Sequence, residues 1–438
     1  MDLQGALADK RRYERQIERL HQRYLLTSGL YDLRQDDVSL ASLILHRGKA
    51  SKLLAREVAR GTYELEPGVL RTIRARHKLR EVFSCRLTDL IVHGVVADIV
   101  GEAVAERLSP RVFSYRKGVS WVAPISEFAA WLREKRRAQP DPRARDIYVL
   151  RRDVDSYTDS IPIGRDSPLW GALEAELGRP LHPLVHRVVC AEMRVKGGGV
   201  ACRTKGLPMG QPIASVVANL YLTDLDRALE SIPGGFYARY GDDFLFAHSD
   251  PGAAQEAAAR ADEVLGRLSL TVNDSKRQTI YLTPAGRPSD EWTEATGAPA
   301  VTFLGVRIAA DGTVGVDRKK ARALVREIDR RVHTTIGTLR GGGDDRERIG
   351  RDVCAVVNRA VDPRSALAQQ RSAVLLRRVV TDRSQLKQLD YRIARSVAEA
   401  VSGVKGARAF REVPYRKMRT EWKLVSLVAA RNARRNER

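Results

Sequence analysis

Several features are scarce in this sequence of 438 residues, and each scarcity excludes a class of protein. The four cysteines are far apart and include no C-x-x-C pair, which argues against a disulfide framework and against a zinc module. Apolar runs are too short to span a bilayer, and the first residues lack the apolar segment of a signal peptide. We therefore expect no membrane partner and a cytoplasmic location.

Negative charge is also in deficit. The chain has 76 Lys and Arg against 54 Asp and Glu, a net charge of +22. A protein that neutralises many phosphates gains from such an excess, because each contact releases condensed counterions. General solubility is the alternative explanation of the charge. Hydrophobic residues make up 43% of the chain, enough for two or three packed subdomains.

The apolar pattern changes along the chain. Residues 5–60 read as helices, because leucines recur among many charged residues. The middle predicts strands at 78–82, 112–115, 147–150, 236–240, 244–247 and 301–308, with helices at 89–105, 168–195, 214–229 and 253–268. Beyond Asp317 the pattern is helical. This order predicts an α+β core flanked by helical blocks.

The sharpest local signal is the segment Phe236-Tyr-Ala-Arg-Tyr-Gly-Asp-Asp-Phe-Leu-Phe-Ala247. Two apolar, aromatic-rich runs joined by Gly and Asp predict a tight β-hairpin. The adjacent carboxylates of Asp242 and Asp243 repel each other at its tip and are destabilising without a cation. For a single Asp-Asp pair an ordinary solvated turn is the alternative. Gly343-Asp-Asp345, which lacks flanking strands, is interpreted as a helix cap.

A third carboxylate is expected beside this hairpin. Asp153 follows the apolar run 147–150 closely and so lies at the end of a strand. Carboxylates offer the hard oxygen ligands that Mg²⁺ takes. Two such ions, roughly 4 Å apart, stabilise the attacking and leaving oxygens of phosphoryl transfer. The pattern therefore predicts a centre of two magnesium ions on Asp153, Asp242 and Asp243.

Five motifs occur in order along the middle of the chain. They are Asp153-Val-Asp-Ser-Tyr-Thr-Asp-Ser-Ile161, Gly206-Leu-Pro-Met-Gly-Gln-Pro-Ile-Ala-Ser-Val-Val-Ala-Asn219, Tyr240-Gly-Asp-Asp243, Lys276 and Phe303-Leu-Gly305. This series resembles the palm of bacterial reverse transcriptases, the group that includes group II intron proteins, retrons and defence-associated enzymes. Upstream, Lys78-Leu-Arg80 and Phe113-Ser-Tyr-Arg-Lys-Gly118 are similar to fingers motifs of the same family.

The resemblance covers about residues 65–310 and implies a right-hand polymerase fold. Its parts are fingers, a palm of antiparallel sheet with packed helices, and a helical thumb, with helical extensions at both ends. The expected domains are an N-terminal extension (1–65), fingers and palm (66–310), a thumb (311–400) and a basic C-terminal tail (401–438).

The resemblance also implies roles for the matched residues. Asp153, Asp242 and Asp243 are expected to hold the metal ions, with the Val154 carbonyl as an additional ligand. Lys276 is expected near the leaving pyrophosphate as its general acid.

A second set of residues is expected at the nucleotide. Its members are Lys78, Arg80, Arg116, Tyr157, Thr158, Met209 and Gly210. Lys78 and Arg80 would clamp the triphosphate, as cationic groups do for oxyanions. For Arg116 a structural ion pair is the alternative. For Asn219, capping and packing are alternatives to a contact with sugar or primer.

Two positions depart from the family pattern. Met209 stands where many reverse transcriptases have Gln. Thr158 stands where an aromatic ring usually excludes a 2′-hydroxyl, and side-chain alternation aims the neighbouring Tyr157 elsewhere. The choice between deoxyribonucleotides and ribonucleotides therefore stays open.

The C-terminal region lacks a Cys/His endonuclease cluster, and Phe303-Leu-Gly305 replaces the Val-Thr-Gly typical of retron enzymes. The chain therefore looks like the free-standing, unclassified or abortive-infection reverse transcriptases of anti-phage defence. The basic helix 318–332 predicts a surface that follows a nucleic-acid backbone, with a solvated helix as the alternative. Tyr415 and Trp422 in the tail either stack on unpaired bases or anchor the core.

These observations predict an RNA-directed DNA polymerase. The expected partners are an RNA template (a structured noncoding RNA), a DNA product and deoxynucleoside triphosphates. Untemplated or protein-primed polymerisation and RNA-dependent RNA synthesis are alternatives within the enzyme class. An RNA-binding scaffold with a vestigial palm is the alternative outside it. The pattern does not indicate an oligomeric state.

Overall fold

A computed structural model describes residues 3–25, 38–75, 78–138, 146–178, 180–195, 197, 199–339, 345–362 and 371–436. Within these ranges helices open and close the chain, and strands are confined to its middle, as predicted. None of the helices described is both long and apolar enough to cross a bilayer.

Four helices open the chain: α1 (Leu3–Ala8), α2 (Lys10–Leu25), α3 (Leu40–Leu45) and α4 (Arg47–Ala59). Helix α2 buries Tyr13 and Ile17 completely, and their spacing of four residues places both on one face. Beside this face, Gln16 and Arg19 both donate to the Asp98 carboxylate, with distances of 2.7–2.9 Å. An apolar face and a polar cluster thus attach the N-terminal helices to α5 (Leu87–Val104).

Strands β1 (Val69–Ala75) and β2 (Lys78–Ser84) form an antiparallel pair, which confirms the predicted strand at 78–82. The predicted strand at 112–115 is wrong. Val112 makes one isolated bridge with Arg239, after which the chain bends at Tyr115, whose φ is +53°. A left-handed residue cannot continue a strand.

A five-stranded sheet has the order β6-β7-β3-β8-β9. Its strands are β3 (Ile147–Asp153), β6 (Phe236–Tyr240), β7 (Asp243–His248), β8 (Gln278–Leu282) and β9 (Thr296–Ala298). Strand β8 is antiparallel to β3 but parallel to β9. The palm sheet was predicted to be antiparallel, and the β8–β9 pair departs from that prediction. The reason is the long connection between β8 and β9, which returns the chain in the same direction.

Helices and short strands accompany this sheet. They are α6 (Ala123–Ala138), α7 (Tyr157–Ser160), α8 (Pro168–Leu177), α9 (Pro183–Cys190), β4 (Met193–Arg194), β5 (Val200–Ala201), α10 (Pro212–Tyr221), α11 (Thr223–Glu230) and α12 (Pro251–Arg267). Two predicted helices are in fact pairs. Gly178, with φ +66°, ends α8 before Pro183 begins α9. Leu222 leaves helical geometry between α10 and α11.

The predicted strand 301–308 is a hairpin of β10 (Ala300–Phe303) and β11 (Val306–Ala309), followed by β12 (Val314–Val316). Leu304 and Gly305 have φ values of +46° and +84°. Two successive left-handed residues are the signature of a type I′ turn, which matches the twist of an antiparallel pair.

Helices make up the rest: α13 (Arg318–Leu339), α14 (Arg346–Val361), α15 (Arg371–Arg378), α16 (Arg383–Ser402), α17 (Ala409–Glu412), α18 (Tyr415–Thr420) and α19 (Leu427–Asn436). Asp345 caps α14 by accepting from the Glu347 N–H, as predicted. Trp422 is buried, and its ring lies against Gly350, where an added Cβ would be 2.4 Å from the ring atoms. Trp422 is therefore a core anchor, and only glycine fits opposite it.

The chain divides into two compact units that interleave in sequence. The first contains Met1–Val119, Arg152–Phe244 and Gln255–Arg277. The second contains Ser120–Arg151, Leu245–Ala254 and Gln278–Arg438. The division into fingers, palm, thumb and tail at residues 65, 310 and 400 stays a prediction. All candidate catalytic residues belong to the first unit.

Candidate active site

Strand β3 ends at the first candidate catalytic residue. Asp153 is only 8% exposed at the end of a buried run. Its carbonyl accepts from Asn273 N at 2.8 Å, and Val154 N donates to the Asp242 carbonyl at 3.1 Å. Segments around residues 153, 242 and 273 therefore meet at one point.

The second and third candidates lie on the β6–β7 hairpin. Its turn consists of Gly241 and Asp242, and the φ of Gly241 is +69°. Glycine at the first turn position is the mark of a type II′ turn, because a side chain would strain that backbone. The tight turn places Asp242 and Asp243 consecutively at the tip, as the pattern predicted.

Lys276 lies beside Asp153. Its Nζ is 2.6 Å from Asp153 Oδ1, and the two side chains are 46% and 12% exposed. Asn273, just upstream, accepts from Ser275 N and so begins the 3-10 turn Asp274–Lys276 that carries the lysine. In this structure the ammonium neutralises the first carboxylate.

The charge at the hairpin tip is only partly compensated. Burial raises the pKa of the Asp242 carboxyl above its ordinary value, and the Asp153 and Asp243 carboxylates raise it further. The Lys276 ammonium opposes this shift with a smaller effect. A buried carboxylate among like charges is unfavourable, so an added cation would stabilise this edge.

The donor atoms fit magnesium in kind, because carboxylate and carbonyl oxygens are its preferred ligands. The predicted metal centre on Asp153, Asp242 and Asp243 stays a prediction. Among the residues that the structure describes, no group of three Asp, Glu, His or Cys side chains is arranged to hold a metal ion. At Asp153, the Lys276 ammonium lies 2.6 Å from one carboxylate oxygen.

A buried polar layer supports the hairpin, and Arg239 is its centre. Arg239 is 0% exposed, and its five N–H groups find five acceptors. Nε and Nη2 donate to the two Asp226 oxygens at 2.7 and 2.6 Å. The others donate to Asn219 Oδ1, to the Asn219 carbonyl and, at 3.1 Å, to the Gly241 carbonyl. A guanidinium whose N–H groups all have acceptors thus holds one side of the Gly241–Asp242 turn.

Ser114 holds the other side. Its Oγ accepts from Gly241 N at 2.8 Å and donates to Asn219 Oδ1 at 2.8 Å. Asn219 Nδ2 returns a bond of 2.7 Å to the Ser114 carbonyl. Asn219 therefore has the packing role that was one alternative for it. Ser114, Asp226 and Arg239 are not among the predicted site residues, although an arginine within an apolar strand is a visible signal for the last.

Three of the predicted nucleotide-binding positions have other or undescribed contacts. Lys78 and Arg80 lie on β2, but their side chains fall outside the described part of the structure. Arg116 donates to the Ser109 and Val112 carbonyls at 2.7 and 3.1 Å, so it braces a loop. These contacts are structural, but they are hydrogen bonds to carbonyl groups and not the ion pair considered as the alternative. A nucleotide contact of Arg116 stays a prediction.

Tyr157 is a correction. It is 4% exposed, and its hydroxyl donates to the Ala218 carbonyl. Because α7 turns the ring into the core, Tyr157 is not at a surface where a nucleotide can bind in this structure. The neighbouring Thr158 is half-buried, and its carbonyl accepts from Leu207 N at 2.8 Å.

Met209 and Gly210 lie in a loop tied to the fingers. The Met209 carbonyl accepts from Phe83 N at 2.7 Å. Gly210 has φ +97°, and an added Cβ would be 2.4 Å from Val82. Glycine is therefore required here, and the loop passes as close to β2 as backbone atoms allow.

The family profile for reverse transcriptase (RNA-dependent DNA polymerase) matches residues 78–308, slightly more than half of the 438 residues. None of the curated proteins matches the chain.

Solved telomerase structures are distantly similar. A telomerase from Candida albicans, in complex with a TWJ fragment of telomeric RNA, gives a TM-score of 0.45 at 12% identity and covers 85% of this chain and 67% of that one. Apo telomerase from Candida tropicalis gives a TM-score of 0.45 at 13% identity, and the match covers 86% of this chain and 73% of that one. Apo telomerase from Candida tropicalis truncated from the C-terminal domain gives a TM-score of 0.41 at 14% identity. This match covers 60% of this chain and 58% of that one.

The family assignment depends on the profile match. That match includes every candidate catalytic residue, from the strand of Lys78 to the hairpin after Phe303. The chain belongs to the reverse transcriptase (RNA-dependent DNA polymerase) family.

Proposed function

We propose that this chain extends DNA on an RNA template by nucleotidyl transfer that uses two Mg²⁺ ions. The observation that carries the proposal is the meeting of the Asp153 strand end, the Gly241–Asp242 turn and the Lys276 segment through backbone bonds and an ion pair. Asp153, Asp242 and Asp243, with the Val154 carbonyl, would hold the ions. Bound there, magnesium would supply charge stabilisation to the attacking and leaving oxygens.

The chain's own residues would do the remaining work. Arg239 and Ser114 hold the Gly241 peptide, and so orient the two carboxylates that follow it. Lys276 would leave Asp153 and donate a proton to a pyrophosphate oxygen as that group departs. Its partial exposure supports this second role, because a half-exposed side chain can change partner at small cost.

Template and product binding would use the basic surface of the second unit. Arg318, Lys319, Arg322 and Arg326 are exposed along the first half of α13. Further along, Arg330 and Arg331 bind Glu327 and lower the pKa of that carboxyl to about 2. Positive charge is thus concentrated in the first half of α13, where it can contact phosphates.

Primer extension tests the proposal. A DNA primer annealed to RNA is supplied with Mg²⁺ and one deoxynucleotide at a time, over templates that differ in the next base. We expect incorporation of the complementary nucleotide only. The Asp242→Asn/Asp243→Asn variant is the matched control, because it keeps side-chain size and removes charge. Incorporation that ignores the template would indicate an untemplated polymerase.

One observation favours a second candidate, acceptance of ribonucleotides. Because Tyr157 is buried and Thr158 is small, neither offers an aromatic ring against a 2′-hydroxyl. The same extension assay with ribonucleotides tests this. We expect the wild type to incorporate them more readily than a Thr158→Phe variant. Equal discrimination by the two would contradict the second candidate.

We further propose a partner noncoding RNA and a role in anti-phage defence. The support is the resemblance to free-standing defence-associated enzymes, together with the helices that flank the palm. Sequencing the RNA and DNA that co-purify with the chain would identify template and product. Phage plating on cells that express wild type or the Asp242→Asn/Asp243→Asn variant tests the role. Equal plating would refute it.

A further inference from the structure

The C-terminal helices of the second unit line a cavity of about 460 Å³. Tyr391, Phe410 and Tyr415 form its aromatic wall. Tyr391 is 49% exposed and Tyr415 is 41% exposed, which is unusual for large side chains that could pack. Two accessible rings on a single concave surface indicate a binding site.

The rings are held by three different elements. Tyr391 lies on α16, Phe410 on α17 and Tyr415 at the start of α18. The centroids of Tyr391 and Phe410 are 5.7 Å apart with a tilt of 39°, and Phe410 packs against the core of the helical bundle. The aromatic wall is therefore a fixed platform, which a ligand can use without ordering it first.

Asp390 also lines the cavity, but its carboxylate already accepts hydrogen bonds from the protein. Its carboxylate accepts from Ser426 Oγ at 2.6 Å, Leu427 N at 2.7 Å and Val428 N at 3.3 Å. These bonds cap the N-terminus of α19, where the helix dipole stabilises a negative charge. The capped Asp390 is therefore a weak obstacle to an anionic ligand.

The surroundings of the cavity are strongly basic. Residues 383–432 contain twelve Lys and Arg against four Asp and Glu, a net charge of +8. The exposed members include Lys387 in the cavity wall and, on the same helices and their links, Arg392, Arg408, Arg411 and Arg416. Aromatic rings within a positive surface are the combination that single-stranded nucleic acid uses.

We propose that this aromatic cavity binds an unpaired base of single-stranded RNA. The base stacks on Tyr391 or Tyr415, and the neighbouring Lys and Arg side chains contact phosphates of the RNA backbone. Trp422, the other aromatic considered for stacking, is excluded because it is 4% exposed in the core. The inference depends on the proposed function only in requiring an RNA partner.

RNA binding by the full chain tests this inference. Fluorescence anisotropy compares labelled oligoadenylate of about 12 nucleotides with an abasic RNA of the same length. The variants are Tyr391→Ala/Tyr415→Ala and, as matched control, Tyr391→Phe/Tyr415→Phe, which keeps both rings. We expect the alanine variant to bind oligoadenylate roughly tenfold more weakly. The phenylalanine control should bind like wild type, and abasic RNA should not distinguish the variants.

Two results would overturn the inference. One is equal binding of oligoadenylate by wild type and the alanine variant. The other is an equal loss on abasic RNA, which would mean that the rings act through structure. If the alanine pair lowers the melting temperature, the single Tyr391→Ala variant replaces it. If instead an acidic peptide binds wild type but not the alanine variant, while RNA binding is the same for both, that result would identify the cavity as a protein-binding site and refute the inference.

Extension of a pre-annealed primer separates the two proposals. If wild type and the alanine variant extend the primer equally and bind RNA equally, the polymerase proposal is supported and the cavity proposal is refuted. Absence of extension in the wild type, with the binding difference present, refutes the polymerase and supports the cavity.

Discussion

Asp153 and Asp226 both pair with a basic side chain at 2.6 Å, one at the candidate catalytic edge and one in the layer beneath it. The Lys276–Asp153 pair is partly exposed and makes a single bond. The Arg239–Asp226 pair is 0% exposed on both sides and makes two bonds, and Tyr237 adds a third to Asp226.

The difference separates an exchangeable pair from a permanent one. Breaking the buried pair leaves an unpaired charge in the core, whereas the half-exposed Lys276 ammonium can exchange its carboxylate partner for water. The edge therefore keeps charges that can be reassigned to ligands. The layer beneath fixes the backbone on which those charges stand.

The largest expected effect comes from removing charge at the edge. Asp242→Asn/Asp243→Asn should lower DNA synthesis on the order of a thousandfold, because metal ligation supplies several kcal/mol to the transition state. Folding stability should not fall. Single-turnover extension and urea denaturation measure the two. A large loss of stability would mean that the edge, too, holds the fold.

Removing charge from the buried layer should do the reverse. Arg239→Met leaves Asp226 buried and unpaired, which costs about 3–5 kcal/mol of unfolding free energy. Urea denaturation measures the loss, and Arg239→Met/Asp226→Leu, which removes both charges, should recover part of it. If Arg239→Met costs under about 1 kcal/mol, the contrast between the two pairs is wrong.

Lys276→Met probes the exchangeable pair. Synthesis should fall roughly a hundredfold if the lysine is a general acid, while stability changes by about 1 kcal/mol or less. Because the ammonium no longer competes for Asp153, we expect tighter Mg²⁺ binding, measured by calorimetry. Weaker Mg²⁺ binding would show that Lys276 supports the site and does not occupy it.

The Tyr157→Phe variant distinguishes two roles for this side chain, packing in the core and contact with the nucleotide. Loss of the bond to the Ala218 carbonyl should cost about 1 kcal/mol of stability. The ratio of deoxyribonucleotide to ribonucleotide incorporation should not change. A changed ratio would restore Tyr157 to the nucleotide site.

The smallest effect is a pH dependence of stability without metal. The pKa of Asp242 is raised in the folded chain, so its ionised form is disfavoured there, and stability is lost as pH rises through that pKa. Asp242→Asn should therefore melt slightly higher than wild type at neutral pH in EDTA. The gap should close as pH falls below the ordinary range of an aspartate. A gap that is independent of pH would contradict this origin.

Local patterns predicted much of the fold. The hairpin of Asp242, the strand before Asp153 and the helix at 89–105 were found because alternation and helical spacing are properties of neighbouring residues. The break at Leu222 and the parallel β8–β9 pair were missed, because they depend on how the chain packs and returns. For the same reason Tyr157 was placed at the nucleotide, although its ring is buried.

By itself, the sequence determined the family, the order of the motifs and the identity of the candidate carboxylates, because these are written in residue type and spacing. Only the tertiary structure decided which charges are partners. Arg239 pairs with Asp226, Ser114 accepts from Gly241 N across 127 residues of chain, and Lys276 meets Asp153 across 123, because burial and distance are set by packing.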